Sequence, residues 1–506
     1  MRARSMGLMV VLAFGCGDDV TPAADGGSSS GSSTQTSTSA TDGPSTSSTT
    51  GPTSTTQTSQ ADASSGTGFE PPEPACGNGF VEEGEECDDA NDDEEDGCTS
   101  SCALRCGIEW TTEVLPPTDT SVIDAQDVAT SADGGAVVGG LLREITTDQR
   151  GNQTILDDEG VVLRVGPDGE TLWNTAIEVD GFDATVTGVA VDDAGNVYAA
   201  ATVDAIDTDA DIRLYKLDPR GAVLWFSEFD SAVDTAEDLS FGVAVGGDGN
   251  PVIVGQVRAG EGDNDVWVSS RDARTGDELW SSTWSGEGSG GFSTDTAGPI
   301  SIASDGTVFV YADEYVDFQN RLPTLLSFDA GGGPATEVYT PEIGVGGAEF
   351  TPLDLAVEAG GSLLLTSVRV LPAENTFQLE RVDAGSGEVT WSVDAQFFED
   401  ASPIKNSTDF NLVGAQPLEG GGVVVTGLLQ RSARDAGWVE SWVGRLDEND
   451  AIDCVFVREN PQLSLIPGSL FGRTISAASS GRAVLAAQEV SADGAQSLWV
   501  GAFRPD

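Results

Sequence analysis

A glycine-centred turn recurs at nearly constant spacing through the C-terminal part of this 506-residue chain. Each turn lies between two short apolar runs, and successive turns lie 61, 54, 57, 54, 61 and 60 residues apart. The turn glycines are Gly134, Gly195, Gly249, Gly306, Gly360, Gly421 and Gly481. Because a regular period of this length indicates repeated structural units, the seven turns predict seven repeats.

Each repeat has the sequence pattern of two β-hairpins. In the second repeat, residues 186–191 and 197–203 flank a turn at Gly195, and residues 211–217 and 223–229 flank a turn at Gly221. This pattern predicts a four-stranded antiparallel meander, and no stretch of comparable length shows a helical period. Four short strands bury both faces only when neighbouring repeats cover them, so we predict an all-β fold, a seven-bladed β-propeller over residues 107–506.

Tryptophan marks the fourth strand of several repeats. Four glycines each precede a tryptophan by four residues, at Trp173, Trp225, Trp280 and Trp391, and Cys454 occupies the matching place in the sixth repeat. We expect these aromatic side chains to pack between blades and disfavour a ligand-binding role for them. Residues 272–280 and 383–391 resemble the tryptophan-docking motif of pyrroloquinoline-quinone-type propeller repeats. The other repeats resemble propeller repeats of exported deltaproteobacterial proteins. These resemblances imply a fold but no cofactor, because the sequence has no recognisable adjacent-cysteine or metal-binding pattern for a quinone cofactor.

The last repeat ends after its third strand, at residues 497–504. A segment far earlier in the chain, residues 108–115, contains Trp110 in the place that a fourth strand would give it. We therefore predict that residues 108–116 complete the seventh blade and remove an open sheet edge.

The N-terminus has the features of an export signal. Residues 1–15 contain two arginines and then an apolar run too short to span a bilayer, which is typical of a signal peptide. Residues 13–16 resemble the lipobox of bacterial lipoproteins, which implies cleavage before Cys16 and lipidation of Cys16. By analogy with lipoprotein sorting, Gly17 directly after Cys16 favours localisation at the outer membrane or the cell surface over retention at the inner membrane. The alternative is an ordinary signal peptide followed by an incidental cysteine.

Two further segments precede the propeller. Residues 16–74 are rich in Ser, Thr, Gly and Pro, and this composition predicts a disordered tether. Residues 75–106 form a cysteine-rich module, in which Cys76, Cys87, Cys98 and Cys102 are expected to form disulfides of undetermined connectivity. This module resembles a cysteine-rich repeat of secreted myxobacterial proteins. Cys106 and Cys454 either pair with each other, or Cys106 belongs to the module and Cys454 is unpaired.

The module is also strongly acidic, with 11 carboxylates among the 15 residues 82–96. Such oxygen-rich sequence suits calcium, and the candidate ligands are Asp88, Asp89, Asn91, Asp92 and Asp96. The favoured alternative is a solvated acidic hairpin held by disulfides. Calcium in this module is therefore a hypothesis, and no other cofactor is expected.

Charge narrows the classes of function. The formal net charge is −61 and the chain has no histidine, which disfavours nucleic-acid binding and excludes His-dependent catalysis. We expect a monomer that contacts the membrane only through its lipid anchor. The favoured function is a non-catalytic propeller that binds a protein or polysaccharide through loops 143–157, 203–211 and 258–265. The alternatives are a scaffold similar to the propeller lipoprotein of the barrel-assembly machinery, and a carboxylate-based hydrolase or quinone enzyme.

Overall fold

The structure, a computed structural model, describes most of the chain after residue 106. It describes residues 107–504, apart from residues 119–120, 148–152, 180–181, 206–209, 232–236, 261–262, 287–292, 318–319, 341–348, 371–375, 402–408, 419–420, 434–435, 458–469, 478–481 and 491–495. Within these residues nearly all regular structure is β-strand, and the described helix, α1 (Ala395–Ala401), is short.

The strands form successive four-stranded units, which we number as blades 1 to 7. The first strand in the sequence, β1 (Gly107–Val114), belongs to blade 7. Blades 1 to 3 contain β2 (Ser121–Thr130), β3 (Ala136–Thr147), β4 (Gln153–Val165), β5 (Thr171–Ile177); β6 (Phe182–Val191), β7 (Val197–Ala205), β8 (Ala210–Leu217), β9 (Val223–Phe229); β10 (Leu239–Val245), β11 (Pro251–Gly260), β12 (Asp263–Arg271) and β13 (Glu278–Trp284). A two-residue strand, β14 (Ser293–Thr294), follows blade 3 and pairs with β12.

The remaining blades continue in the same order. Blades 4 to 6 contain β15 (Ile300–Ile302), β16 (Val308–Asp317), β17 (Asn320–Phe328), β18 (Thr336–Tyr339); β19 (Glu349–Val357), β20 (Ser362–Val370), β21 (Thr376–Asp383), β22 (Val389–Asp394); β23 (Asp409–Pro417), β24 (Val423–Ala433), β25 (Ala436–Leu446) and β26 (Ile452–Val457). Blade 7 contains β27 (Leu470–Ala477), β28 (Ala483–Val490), β29 (Gln496–Arg504) and β1.

The blades close into a ring around their first strands. Consecutive strands within each blade pair as antiparallel neighbours, as the meander pattern predicts. Each first strand contacts the first strand of the next blade, in the order β2, β6, β10, β15, β19, β23 and β27, and β27 contacts β2 again. The prediction of a seven-bladed β-propeller is therefore confirmed.

The N-terminal strand supplies the outermost strand of blade 7. β1 pairs antiparallel with β29, with Ile108 opposite Phe503 and Thr112 opposite Val500. The strand order in this blade is β1, β29, β28 and β27. β1 therefore covers β29, which would otherwise be an exposed edge. The predicted closure by the segment that begins near residue 108 is confirmed.

Both faces of each sheet are apolar because alternate residues of a strand face opposite blades. Val137 packs with blade 2 residues such as Val189, whereas its neighbour Val138 packs with blade 7 residues such as Val484. In blade 3, Ile253 faces blade 2 while Val252 and Val254 face blade 4. The core is therefore distributed between blades, and no blade would bury its apolar residues alone.

The turn glycines are required by backbone conformation. Gly134, Gly195, Gly249 and Gly306 have positive φ, which a residue with a Cβ atom rarely adopts. In blade 5 the positive φ lies at Gly361, one residue after the predicted Gly360. The reason is the position of the turn hydrogen bond, which joins the Gly361 N–H to the Glu358 carbonyl. Gly481 lies outside the described residues.

No helix in the described part of the chain has the length and apolar character needed to cross a membrane.

Candidate functional site

Most of the site residues predicted from the sequence lie outside the described residues. These are Cys16, Cys76, Cys87, Cys98, Cys102, Cys106, Asp88, Asp89, Asn91, Asp92 and Asp96. Within the described ranges after residue 106, no group of three or more carboxylate or cysteine side chains is arranged to hold a metal ion. Lipidation, module disulfides and calcium therefore stay predictions.

The structure places the fourth-strand tryptophans against the next blade. The Trp173 ring lies beneath Gly221, where an added Cβ atom would be 2.8 Å from the ring, and the Trp173 Nε1–H donates to the Pro219 carbonyl at 3.0 Å. Trp225 meets Gly276 and Trp280 meets Gly332 in the same way. These half-buried rings therefore join consecutive blades.

The same register continues at the closure of the ring. Trp110 in β1 packs against Gly169 of blade 1, and the Thr112 hydroxyl donates to the Gly169 carbonyl. In blade 5, the Arg381 guanidinium lies 5.5 Å from the centre of the Trp391 ring and donates to Asp450 of blade 6 at 2.5 Å. The tryptophan positions thus have a structural role at successive blade junctions.

Cys454 occupies the tryptophan register in blade 6, opposite Arg445. It is disulfide-bonded. Since the chain has seven cysteines and the other six lie outside the described residues, its partner is one of those six. The alternative in which Cys454 is unpaired is therefore wrong.

Two buried carboxylates on first strands accept hydrogen bonds from the next blade. Asp127 in β2 follows an irregularity in strand pairing, and its two oxygens accept the Val128 N–H and the Val189 N–H of blade 2, each at 2.8 Å. Burial, followed by the weaker repulsion of Asp354, raises the Asp127 pKa to about 7 despite these bonds.

Asp354 repeats this arrangement in blade 5. It follows the irregularity in β19 and accepts the Leu355 N–H at 2.9 Å and the Ala415 N–H of blade 6 at 2.9 Å. The Gln416 amide also donates to it. Burial raises the Asp354 pKa to about 6. Each of these aspartates therefore joins its own blade to the next one through main-chain hydrogen bonds.

The pKa values of these two carboxyl groups lie in the range of general acids or bases. Each of their oxygens accepts a backbone N–H, and these hydrogen bonds hold both groups in place between two blades. Their geometry is that of structural links between blades.

The loops that join second to third strands and fourth to first strands lie on one face of the ring, which we call the upper face. Two buried carboxylates organise it. Asp238 accepts the Ser231 N–H at 2.6 Å and the Arg258 N–H at 3.0 Å. Asp295 accepts the Gly286 N–H at 2.7 Å and the Tyr315 N–H at 2.8 Å. Both therefore fix an interblade loop to the second strand of the following blade.

The third strands of blades 1 to 3 each carry an acidic residue directly before the residue that pairs with the last residue of the fourth strand. We call Glu159, Asp211 and Asp265 the upper rim. Burial and then the charges of Asp230 and Glu228 raise the Asp211 pKa to about 6. Burial raises the Glu159 pKa, with further increases from Glu178 and Asp157, and burial also raises the Asp265 pKa, with repulsion from Asp263 and Asp295.

The upper rim lies beside the loops that the sequence predicts as binding loops. Asp211 and Asp265 are the last residues of loops 203–211 and 258–265. Glu159 lies two residues after the end of loop 143–157. Arg143 neutralises part of the charge in blade 1, where it donates two hydrogen bonds of 2.8 Å to Asp158. Each rim carboxylate nevertheless lies beside further carboxylates, and such local concentrations of negative charge favour cationic groups.

Sequence reasoning missed the links made by Asp127 and Asp354. One signal exists in the aligned repeats, because the residue that each carboxylate holds follows a glycine, Gly188 before Val189 and Gly414 before Ala415. A Cβ atom at Gly188 would lie 2.7 Å from Gly242 of blade 3, so the first strands approach closely there. The abundance of acidic residues hides this signal in a single sequence.

Comparisons with known proteins add little beyond the fold. A family described as a domain of unknown function (DUF4215) matches residues 72–103, which lie outside the described residues and include the four module cysteines. No curated protein matches the chain.

Several solved structures resemble the chain at low identity. Quinohemoprotein alcohol dehydrogenase from Comamonas testosteroni is 12% identical, with a TM-score of 0.41, over 79% of this chain and 76% of that chain. The β-propeller domain of the Trilobed protease from Pyrococcus furiosus is 11% identical, with a TM-score of 0.42, over 75% and 93%. A protein of unknown function from Dyadobacter fermentans is 9% identical, with a TM-score of 0.43, over 67% and 98%. The seven-bladed architecture rests on the strand order and ring contacts described above.

Proposed function

We propose that this chain is an exported, lipid-anchored binding protein whose propeller holds a partner at the upper rim without catalysing a reaction. The partner is a protein with a basic surface segment, and a polysaccharide is the second class. The observation that carries this proposal is that Glu159, Asp211 and Asp265, at equivalent places in three adjacent blades, each lie beside further carboxylates.

Raised pKa values support binding because they report unfavourable interactions in the free protein. Burial disfavours the ionised form of each rim carboxylate, and neighbouring carboxylates disfavour it further. A cationic group placed among them would relieve this repulsion. Binding would therefore lower the rim pKa values and be favoured as the pH rises through about 6, the pKa of Asp211.

The hydrogen bonds of Asp127 and Asp354 support a non-catalytic role. Both carboxyl groups have pKa values near neutrality, yet each is held by backbone N–H groups of two blades. Moving either group towards a substrate would break hydrogen bonds that connect blades. Turnover that is lost on changing a single carboxylate, with the fold preserved, would contradict this part of the proposal.

Anchoring through Cys16 is proposed from the N-terminal sequence. A lipidated Cys16 would hold the module and propeller at the membrane through the tether of residues 17–74. Labelling cells with a radioactive fatty acid tests this directly. The label should enter the full-length protein and be absent from a Cys16→Ser variant, and equal labelling of the two would contradict the anchor.

The binding proposal is tested with two variants of equal charge change. The rim variant combines Glu159→Gln, Asp211→Asn and Asp265→Asn. The control variant combines Asp168→Asn, Asp305→Asn and Asp383→Asn, which lie in exposed turns on the opposite face. Each full-length protein is used to capture partners from intact cells, with surface-protease accessibility measured in parallel.

We expect the rim variant to lose at least about tenfold in captured partner, which corresponds to about 1.4 kcal/mol, while the control variant retains it. If the partner is a protein, treating the cells with protease before capture should abolish capture. If it is a polysaccharide, prior treatment with glycosidase should do so. Equal loss in both variants would show that total charge, and not the rim, determines binding.

A further inference from the structure

The disulfide at Cys454 raises the question of its partner. β26 and β1 are the fourth strands of blades 6 and 7, so both lie at the outside of the ring and run in the same direction. Ile108 in β1 and Phe456 in β26 pack against the same buried cluster. Phe456 also lies 5.9 Å, between ring centres, from Phe503, which pairs with Ile108.

Ile108 and Phe456 therefore lie beside the same residue, Phe503. Positions 106 and 454 are two residues before them in the sequence. Both positions are cysteines. Because a step of two residues along a strand returns to the same face, Cys454 lies on the same face of β26 as Phe456.

The limits of the module point to the same cysteine. The matched family segment, residues 72–103, includes Cys76, Cys87, Cys98 and Cys102, an even number that can pair internally. Cys106 lies beyond the segment and directly before β1. We propose that Cys106 and Cys454 form a disulfide that fixes the closing strand of the propeller to blade 6.

Formation of this bond is a thiol–disulfide exchange. The Cys106 and Cys454 thiols lose two protons and two electrons to form one S–S bond, and a donor disulfide, carried by an oxidoreductase or by oxidised glutathione, is reduced to two thiols. An exported chain meets such donors in an oxidising compartment.

The bond would extend to blade 6 a junction that already joins blades 7 and 1. On the other side of β1, Arg482 of blade 7 donates to Glu109 and also to the Gly134 and Pro167 carbonyls of blade 1. The closing strand would thus be linked to blade 1 by hydrogen bonds and to blade 6 by a covalent bond. A cross-link between residues so distant in sequence restricts the unfolded chain strongly.

The pairing is tested on the full-length oxidised protein. Proteolysis without reduction, followed by mass spectrometry, should yield a peptide pair containing Cys106 and Cys454. The melting temperature of Cys106→Ser, Cys454→Ser and the double variant is then compared with that of the wild type. Cys98→Ser is the matched control, because it removes a module cysteine and leaves the propeller closure intact.

We expect each closure variant to melt several degrees lower than the wild type, with no further decrease in the double variant. The Cys98→Ser variant should keep the melting temperature of the propeller. A peptide linking Cys454 to Cys76, Cys87, Cys98 or Cys102 would overturn the proposal, as would a wild-type protein in which Cys454 reacts as a free thiol. The peptide map decides the matter even if a serine variant fails to fold.

Discussion

Asp127 shows how one side chain can link two blades and make the fold sensitive to pH. Its pKa of about 7 in the folded protein exceeds the value of about 3.9 expected in an unfolded chain. As the pH rises, the unfolded chain therefore loses this proton first. The free energy of unfolding should fall between about pH 4 and pH 7 and stay lowered above pH 7.

We predict that Asp127→Asn makes the stability less dependent on pH. Asparagine replaces one accepting oxygen with an NH2 group and so loses one of the two hydrogen bonds at every pH, but it does not ionise. From pH 5 to pH 8 the difference in stability should therefore shift in favour of the variant by about 1 to 3 kcal/mol. Urea unfolding at both pH values measures this shift. Asp305→Asn is the control, because turn hydrogen bonds lower the Asp305 pKa and it does not titrate in this range. If the stabilities of the wild type, Asp127→Asn and Asp305→Asn changed equally with pH, the pH dependence would not come from Asp127.

Gly221 allows a separate measurement of the tryptophan junction. It has a φ of 84°, and an added Cβ atom would lie 2.8 Å from Trp173 and 2.7 Å from the Thr175 hydroxyl. Gly249 has a similar φ of 79° but no neighbouring atom within 4 Å. Both positions disfavour alanine through their backbone, and only Gly221 adds a steric clash.

We therefore predict that Gly221→Ala is more destabilising than Gly249→Ala. The backbone effect should be about 1 kcal/mol at both positions, and the clash should add about 1 to 3 kcal/mol at Gly221. Urea unfolding of both variants gives the difference. Equal losses would mean that the Trp173 ring moves away without effect on stability.

The repeated strands were predictable, whereas the links between blades were not. Gly134, Gly195 and the other turn glycines mark hairpins because local backbone conformation requires them there. The incomplete last repeat and Trp110 together predicted that β1 closes the ring. The blade 5 turn was misplaced by one residue, because Gly360 and Gly361 are adjacent and only the hydrogen bond to Glu358 distinguishes them.

The carboxylate positions could not be read from the sequence. Asp127, Asp354 and the upper rim belong to a chain with 84 acidic residues, so no single carboxylate stands out. Their roles depend on which backbone N–H groups and charges surround them. The N–H groups that Asp127 and Asp354 hold in the next blade lie about one repeat away in sequence. The charges around the upper rim come from other strands and loops, so both sets of neighbours become visible only in the folded chain.

At the level of elements, the attachment of β1 is a critical contact. Arg482 at the start of β28 donates to Glu109 of β1 at 2.6 Å and to the Gly134 carbonyl of blade 1 at 2.7 Å. Arg213 makes a comparable ion pair with Glu228 at 2.5 Å, but within a single blade. The two arginines have similar side-chain exposure, 15% and 16%, so they form a matched pair.

We predict that Arg482→Met destabilises the propeller by about 2 to 3 kcal/mol, because it leaves carbonyls and a carboxylate at the junction without their donor. Arg213→Met should lower stability by less than about 1 kcal/mol, as expected for a more exposed pair. Chemical unfolding of both variants compares them. An equal effect would show that closure of the ring does not depend on Arg482.

At the scale of the whole molecule, the net charge of −61 opposes compaction. Salt weakens repulsion between exposed charges, as the screening length falls from about 30 Å at 0.01 M to about 3 Å at 1 M. We therefore predict that the melting temperature rises by several degrees over this range at pH 8. At pH 4, where many carboxylates are protonated, the rise should be smaller. A melting temperature that falls with salt at pH 8 would show that ion pairs outweigh the repulsion.

Closure by β1 also determines when folding can finish. The strand that seals the ring is the first part of the propeller to be synthesised, and its partner β29 is the last. During synthesis or passage through a membrane, β1 must wait unpaired until nearly the whole chain has emerged. Contacts between such distant residues form slowly. A chain cut short before β29 would therefore leave its earliest strand without a partner, and only the finished protein can close.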